Sequence, residues 1–498
     1  MPVKFILSLD QGTTSSRAVL LDQTGRVVAS GQEEFPQLFP RPGWVEHDAE
    51  AIWQSQWNSI EAAFAAAKCA WDSVEAIGIT NQRETVVAWD AVSGEVVGKA
   101  IVWQDRRTAD FCAGLKEAGK EAWIQEKTGL LLDPYFSAAK MRWILQNRPG
   151  AAELAKKGTL RFGTIDSWLV WKLSEGDCYV TDVSNASRTQ LMDLSTCEWD
   201  DELLELFGIP RSALPEIVDS SGRLATTSSA VTGGLTVPIA GIAGDQQAAL
   251  FGQLCFEPGM VKSTYGTGCF VLMNVGRGPA VSRNRLLSTV AWRIDGKTEY
   301  ALEGSVFVGG SAVQWLRDQL GVIEKASDIE ELASRVKDSD GVVVVPAFTG
   351  LGAPYWDPYA RGAIMGLTRG SSVSHIARAV LDGIANQVSD VVLAMASDAG
   401  REMKELKADG GASANALLMQ IQADATGAVV SCPKNLETTA MGAGYLAGLA
   451  VGYWDSREAL VKLVEADRSY EPKLGEEERS QRMAKWRKAV ERSLAWEE

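Results

Sequence analysis

Apolar residues enter the chain in short runs separated by polar turns. Phe5-Ile6-Leu7-Ser8-Leu9 is followed by a Gly/Thr/Ser-rich stretch from Asp10 to Ser16, then Ala18 to Leu21, a polar turn from Asp22 to Gly25, and a third run from Val27. Runs and turns of this length predict three strands in an antiparallel meander. From about Asp48 the spacing changes: Trp53, Trp57, Ile60, Phe64 and Ala67 recur on one stripe, which predicts a helix. A strand, Val74 to Thr80, then runs into the polar loop Asn81-Gln82-Arg83-Glu84. Strands and helices alternate from there on, as α/β layering requires.

The opening pattern returns in mid-chain. Val261 to Gly268 ends in Tyr265-Gly266-Thr267-Gly268 and feeds the apolar run Phe270 to Met273, with Gly266 lying 254 residues after Gly12. That offset is close to half of 498 residues, so two similar α/β halves are expected, with a boundary near residues 250 to 256. The turns alone also admit chance similarity. A strand at Val342 to Val345, a long helix from Ser374, a strand at Leu406 to Ala408, the break Asp409-Gly410-Gly411 and a helix from about Asn415 complete the second half. Strand, glycine pair and helix start together make a ligand-binding edge.

Composition narrows the class. With 49 Lys+Arg against 64 Asp+Glu the net charge is −15, and 46% of residues are apolar. This suits a multi-domain globular protein and disfavours general binding to nucleic acid or anionic membranes. No uninterrupted apolar run approaches a membrane span and no export signal is visible, so a cytoplasmic protein is expected. Seven scattered cysteines without C-x-x-C are expected to be reduced structural thiols. Only two histidines occur, His47 and His375, so any catalysis should rest on carboxylates. His375, beside Ser374 at a helix start, reads as structural.

Gly12-Thr13-Thr14-Ser15-Ser16 supplies small residues whose N–H groups can approach phosphates; Arg17 adds charge, and Asp10 a strand-end carboxylate suited to Mg²⁺. Gly266-Thr267-Gly268 would be a second such loop. Two competing motifs are weak. Gly114 to Lys120 lacks the Ser/Thr of a phosphate loop and reads as helix surface, whereas Gly442-Ala443-Gly444 lacks a strand before it and reads as close helix packing. Asp245, after the run Gly241-Ile242-Ala243-Gly244, fits either a helix cap or the group that takes a hydroxyl proton in phosphoryl transfer. Arg83 and Glu84 fit either a surface ion pair or a polyol site.

Several blocks resemble the FGGY carbohydrate kinase family. They are Leu9 to Arg17, Gly78 to Thr85, Gly244 to Gln253, the signature Tyr135 to Asn147 with Ser137, Lys140, Trp143 and Asn147, and the signature Gly362 to Asp382 with Gly366 and Ala379. The resemblance covers nearly the whole chain. It implies two ribonuclease-H-like domains of the actin, sugar kinase and heat-shock chaperone type around an active-site cleft, here 1–253 and 254–498. It also implies transfer of phosphate from ATP to glycerol, giving sn-glycerol 3-phosphate. A kinase for another polyol or ketose is the alternative, and a nucleotide-switched scaffold is the rival from another class.

By matching positions, the resemblance places Thr13, Thr14, Ser15 and Arg17 on the phosphates and Thr267, Gly310, Gln314, Gly411 and Asn415 on the nucleotide, with Asp10 holding Mg²⁺ through water. The glycerol site it implies is Arg83, Glu84, Trp103, Tyr135, Asp245, Gln246 and Phe270, with Asp245 as general base. A homodimer or homotetramer is expected. The loop Thr232 to Thr236 has Thr236 where enterobacterial relatives carry arginine, so inhibition by a sugar bisphosphate is not expected. No counterpart of an activating phosphohistidine is evident, and Glu476 to Glu478 matches a partner-protein site of those relatives only loosely.

Overall fold

The computed structural model describes residues 3–463 and 466–497. The meander forms as expected from β1 (Phe5–Gln11), β2 (Ser15–Leu21) and β3 (Val27–Glu34). Its first turn is tighter than the polar stretch suggested. The strands run on to Gln11 and restart at Ser15, leaving a short turn closed by Gly12 N–H donating to the Ser15 carbonyl at 2.9 Å. Helix α1 (Ala49–Ala67) packs on β2 and β3, with the Asp48 side chain capping its first turn.

Ten further strands extend this meander into one sheet: β4 (Val74–Asn81), β5 (Ser221–Thr226), β6 (Pro238–Gly244), β7 (Met260–Tyr265), β8 (Cys269–Gly276), β9 (Leu287–Ile294), β10 (Lys297–Val306), β11 (Glu405–Asp409), β12 (Val430–Pro433) and β13 (Ala466–Tyr470). The spatial order is β13-β12-β11-β7-β8-β10-β9-β5-β6-β4-β1-β2-β3. The expected duplication is visible strand for strand. In the first half β3, β2 and β1 are antiparallel neighbours, and β4 and β6 join β1 in parallel. In the second half β10, β8 and β7 repeat the meander, and β11 and β12 join β7 in parallel. The halves meet where β5 touches β9 at Ser221 and Ile294.

Each repeat ends in a helix packed against the other half. Helix α2 (Asp245–Gly252) follows β6 and leans on β7, β8 and β9. A later helix, Thr438–Ala450, follows β12 and lies across β1, β4 and β6. The two helices touch backbone to backbone: a Cβ on Gly442 would lie 1.8 Å from the Ala248 carbonyl oxygen, and one on Gly252 would lie 1.9 Å from that of Thr438. The later helix is wedged equally tightly on its other side, where Cβ atoms at Gly78 and Gly241 would lie 2.2 Å from Ala443 O and 2.5 Å from Ala447 N. The Gly442-Ala443-Gly444 run is therefore a packing device, as expected. Gly114 to Glu117 likewise ends the helix Ala109–Glu117.

The second half also carries α3 (Gly310–Asp318), α4 (Val373–Ala399) and α5 (Ala416–Thr426), the helix Thr438–Ala450 becoming α6. Helix α4 is long and apolar enough to cross a membrane, but 78% of its most apolar window is buried, and it packs on β8 and β10 as a core helix. His375 closes a capping box with Ser372 at its start, the structural role expected of it. All seven cysteines are free.

Candidate active site

The sheet carries its chemistry at strand ends. β4 stops at Asn81, and the next residues double back, with Glu84 forced into the left-handed region at φ 61° and Thr85 N–H returning to the Arg83 carbonyl at 2.8 Å. A non-glycine residue held there is strained, and the packing around it must hold it in place. Gln82 does part of this, donating from its amide nitrogen to Gln11 Oε1 and the Gly12 carbonyl, both at 3.0 Å. Thr85 donates to Gln82 Oε1 at 2.8 Å and accepts from Trp103 N–H at 3.2 Å, while the Trp103 indole donates to Thr13 Oγ1 at 3.0 Å. The Arg83-Glu84 loop, the Trp103 wall and the Thr13 turn thus form one bonded unit.

The Trp103 ring meets Tyr135 edge-on, with centroids 5.6 Å apart. Tyr135 is placed by Lys140, whose buried ammonium donates to the carbonyls of Pro134 (2.7 Å), Tyr135 (2.5 Å) and Phe136 (3.0 Å) just before the helix Ser137–Asn147. Burial pushes that ammonium down to about 8. The signature lysine therefore acts on the backbone that carries the tyrosine.

Arg83 and Glu84 are not a surface pair: their side chains are 2% and 1% exposed. Arg83 Nη1 donates to Glu303 Oε2 at 2.5 Å and to Gln247 Oε1 at 3.2 Å, Nη2 donates to Glu303 Oε1 at 3.1 Å, and Nε faces Asp245 Oδ1 at 3.1 Å. Arg188, also fully buried, donates from Nε to Glu84 Oε1 at 2.7 Å and from Nη2 to Glu303 Oε1 at 3.0 Å. Burial alone would raise both glutamates. It does raise Glu84, whereas the guanidiniums of Arg188 and Arg83 overcome it at Glu303 and hold that carboxyl at about 2.

Asp245 is the first residue of α2, with Gly244 at the cap position and no side-chain cap bond. Its Oδ1 accepts the neighbouring Gln246 N–H at 2.7 Å besides facing Arg83 Nε, and its side chain is 32% exposed. The capping role is thus absent and the carboxylate is available. Burial raises its pKa, opposed by Arg83 and Lys262. Lys262 donates to Gln246 Oε1 and, at 3.1 Å, to Thr264 Oγ1. Opposed residues of paired strands share a face. By that register Lys262, Thr264, Phe270 and Glu303 all lie on one face of β7, β8 and β10, with Phe270 diagonal to Glu303, the carboxylate that grips Arg83.

On the other side of β7, a pocket of ≈430 Å³ is lined by Thr267, Gly310, Gln314, Gly411, Asn415 and Leu418, among others. Gly310 N–H binds the Gly266 carbonyl at 2.8 Å, setting the start of α3 against the second turn. Asn415 spends Oδ1 on capping α5 through Leu418 N–H at 2.8 Å. The first turn is tied to the second half by an ion pair between Arg17 and Glu437.

Asp10, at the end of β1, is lifted to about 7 by burial and then by the charge of Asp245, against the pull of Arg17. A cation beside it would relieve that repulsion. Among the described residues no group of three or more metal-ligating side chains gathers.

Residues 5–252 match the model of the FGGY family of carbohydrate kinases, N-terminal domain, and residues 261–451 match the C-terminal domain of the same family. The chain belongs to the FGGY family of carbohydrate kinases. It is similar to the glycerol kinase of Halorhodospira halophila, 55% identical over 100% of this chain and 98% of that protein. It is also similar to the glycerol kinase of Dechloromonas aromatica, 56% identical over 99% and 98%. Among solved structures it superposes on the glycerol kinase of Plasmodium falciparum crystallised with ADP, with TM-score 0.94 and 37% identity over 99% of this chain and 98% of that one.

In this FGGY kinase the structure gathers the residues named from sequence into two neighbouring sets. Arg83, Glu84 and Asp245 share one ion-pair network, Trp103 and Tyr135 form its aromatic wall, and Gln246 and Phe270 border it through Lys262 and the shared sheet face. Thr267, Gly310, Gln314, Gly411 and Asn415 line the second pocket. Thr13, Thr14, Ser15, Arg17 and Asp10 sit on the first turn and its flanks, outside that lining. Sequence reasoning missed Arg188, Glu303 and Lys262. Glu303 and Lys262 lie within strand runs where a charge reads as solvent-facing; a signal was present only for Lys262, whose strand runs into the second turn.

Proposed function

We propose that the protein phosphorylates glycerol with ATP, and that its halves 1–253 and 254–498 carry the acceptor site and most of the nucleotide site. The observation that carries the assignment of roles is Asp245. It is a partly exposed carboxylate at the start of α2, outside the cap position, and 3.1 Å from the buried Arg83.

Glycerol offers three hydroxyls to this pocket. Arg83 donates to oxygen, Glu84 and Asp245 accept from O–H, Gln246 can do either, and Trp103, Tyr135 and Phe270 cover the carbon chain and exclude water. Asp245 accepts the proton of the terminal hydroxyl as its oxygen bonds the γ-phosphorus and the bond to the β-phosphate oxygen breaks, releasing ADP. Thr13, Thr14, Ser15, Arg17 and Thr267 meet the phosphates, while Gly310, Gln314, Gly411 and Asn415 hold the nucleoside part. Asp10 would hold Mg²⁺, which when bound neutralises phosphate charge. Shielding the acceptor from water matters because water is itself a competing hydroxyl.

The deciding experiment measures ATP- and Mg²⁺-dependent phosphorylation of glycerol beside dihydroxyacetone, erythritol, xylitol and xylulose, with the product identified. Higher kcat/KM for glycerol is expected. A higher value for another acceptor overturns the substrate while keeping the mechanism, and ATP hydrolysis without transfer to any acceptor overturns both.

A further inference from the structure

The acceptor residues do not stand alone: five charged side chains form one chain of alternating sign, Glu84, Arg188, Glu303, Arg83 and Asp245. The first four are at most 2% exposed, whereas Asp245 is 32% exposed. A buried ionic chain of this kind costs desolvation free energy at every member, so it is poorly explained as a stabilising device alone.

Its geometry has a direction. Glu303 takes both terminal nitrogens of Arg83, which leaves the Nε edge aimed at Asp245. Arg188 takes Oε1 of Glu84, and Oε2 accepts no hydrogen bond from the described residues. Glu84 is therefore held by Oε1 with Oε2 left over, and Arg83 is fixed by Glu303 with its Nε edge turned to Asp245, the one partly exposed member of the chain. Glu303 comes from β10 of the second half, whereas Arg83, Glu84, Arg188 and Asp245 come from the first.

We infer that Glu303 and Arg188 are positioning residues of the acceptor site. They fix Arg83 and Glu84 from behind, so that the guanidinium and one carboxylate oxygen are held in place for a small polyol, and Glu303 makes that placement depend on both halves. This rests on the assignment of Arg83, Glu84 and Asp245 to the acceptor. The chemistry selects a ligand with vicinal hydroxyls, one donating to Glu84 and another accepting from Arg83. Arg188 also lies 5.8 Å from the Tyr135 ring centroid, so the same clamp borders the aromatic wall.

The test compares Glu303→Gln, Arg188→Lys, Arg83→Ala and the double variant Glu303→Gln/Arg83→Ala by steady-state kinetics in glycerol and in ATP. Arg188→Lys keeps the buried charge and loses only the fork, so it remains informative if Glu303→Gln fails to fold. Each positioning variant is expected to raise KM for glycerol about 10- to 100-fold, the range for a lost charge-assisted hydrogen bond, with KM for ATP changed less than about threefold. Because Glu303 acts through Arg83, adding Glu303→Gln to Arg83→Ala should raise KM no further. A merely structural role would lower kcat and raise both KM values alike, and would persist in the double variant. If Arg83→Ala raises KM for glycerol while Arg188→Lys does not, this inference is overturned and the acceptor site stands. If Arg83→Ala itself leaves KM unchanged, the acceptor-site assignment fails, and this inference with it.

Discussion

Replacing Gly442 by alanine would test whether the contact between α2 and α6 places Asp245, the proposed base. The added methyl would sit 1.8 Å from the Ala248 carbonyl oxygen, 2.6 Å from its carbon and 3.0 Å from Gly252 N, where ordinary contact begins at 3.4 Å. The helices must then open by about 1.6 Å. Helix α6 cannot retreat, because its other side is seated on Gly78 and Gly241 at equally short range, so α2 is the element that yields. Asp245 is the first residue of α2, one turn from Ala248, and moves with it. Overpacking costs about 1–3 kcal/mol, and removing a helical glycine returns about 1 kcal/mol, so the net stability loss should be about 0–2 kcal/mol. Activity should suffer far more, because a misplacement of about 1 Å in a reacting group costs about 100-fold. Urea unfolding at constant m gives the first quantity, and kcat for glycerol phosphorylation gives the second. Gly114→Ala is the control: its Cβ meets nothing within 4 Å, so stability should hold or rise and kcat should not change. If Gly442→Ala keeps kcat within about threefold while folded, the contact does not set the position of Asp245.

Four further outcomes follow from the site. Asp245→Asn should lower kcat by about 100- to 10,000-fold with ADP affinity retained, checked by single-turnover kinetics and calorimetry; near-native turnover removes Asp245 from the role of base. Arg83→Ala should raise KM for glycerol more than KM for ATP, and an unchanged glycerol KM refutes its place in the pocket. Asn415→Ala should weaken ADP binding and lose about 1 kcal/mol from the α5 cap, read by calorimetry and thermal unfolding. Glu303 has its carboxyl lowered from 4.5 to about 2 by Arg188 and Arg83 against burial, so it stabilises the fold above about pH 4.5 and that contribution fades as pH falls towards 2. The full effect is about 3 kcal/mol, and Glu303→Gln should flatten this part of the acid-unfolding curve.

The parts of the fold readable in sequence were those governed by local pattern. The meander, the α1 stripe behind Asp48 and the second Gly-Thr turn all follow from periodicity and turn chemistry, and each formed. The sites at Arg83-Glu84 and Asp245 were visible as polar residues just past apolar strands, although pattern alone left each with two roles. Burial excluded a surface pair at the first, and at the second Gly244 rather than Asp245 holds the cap position. What sequence concealed was long-range pairing. Glu303 lies 220 residues from Arg83 and 115 from Arg188, and nothing local marks a glutamate in Ala301-Leu302-Glu303-Gly304 as buried. The left-handed backbone at Glu84 was equally hidden, since it is imposed by Gln82 and Thr85 rather than by a glycine.

The duplicated strand order also says something about how one chain came to hold two different ligands. The loop after β4 carries Arg83 and Glu84, and the loop after β11, its counterpart, carries Gly410 and Gly411. One copy of the edge is studded with charge and suits a polyhydroxyl compound. The other has been stripped to backbone, where Gly410 sits at φ 85° with no room for a side chain against Tyr265. A single ancestral edge, copied and then divided in labour, would give the proposed donor and acceptor sides from one architecture.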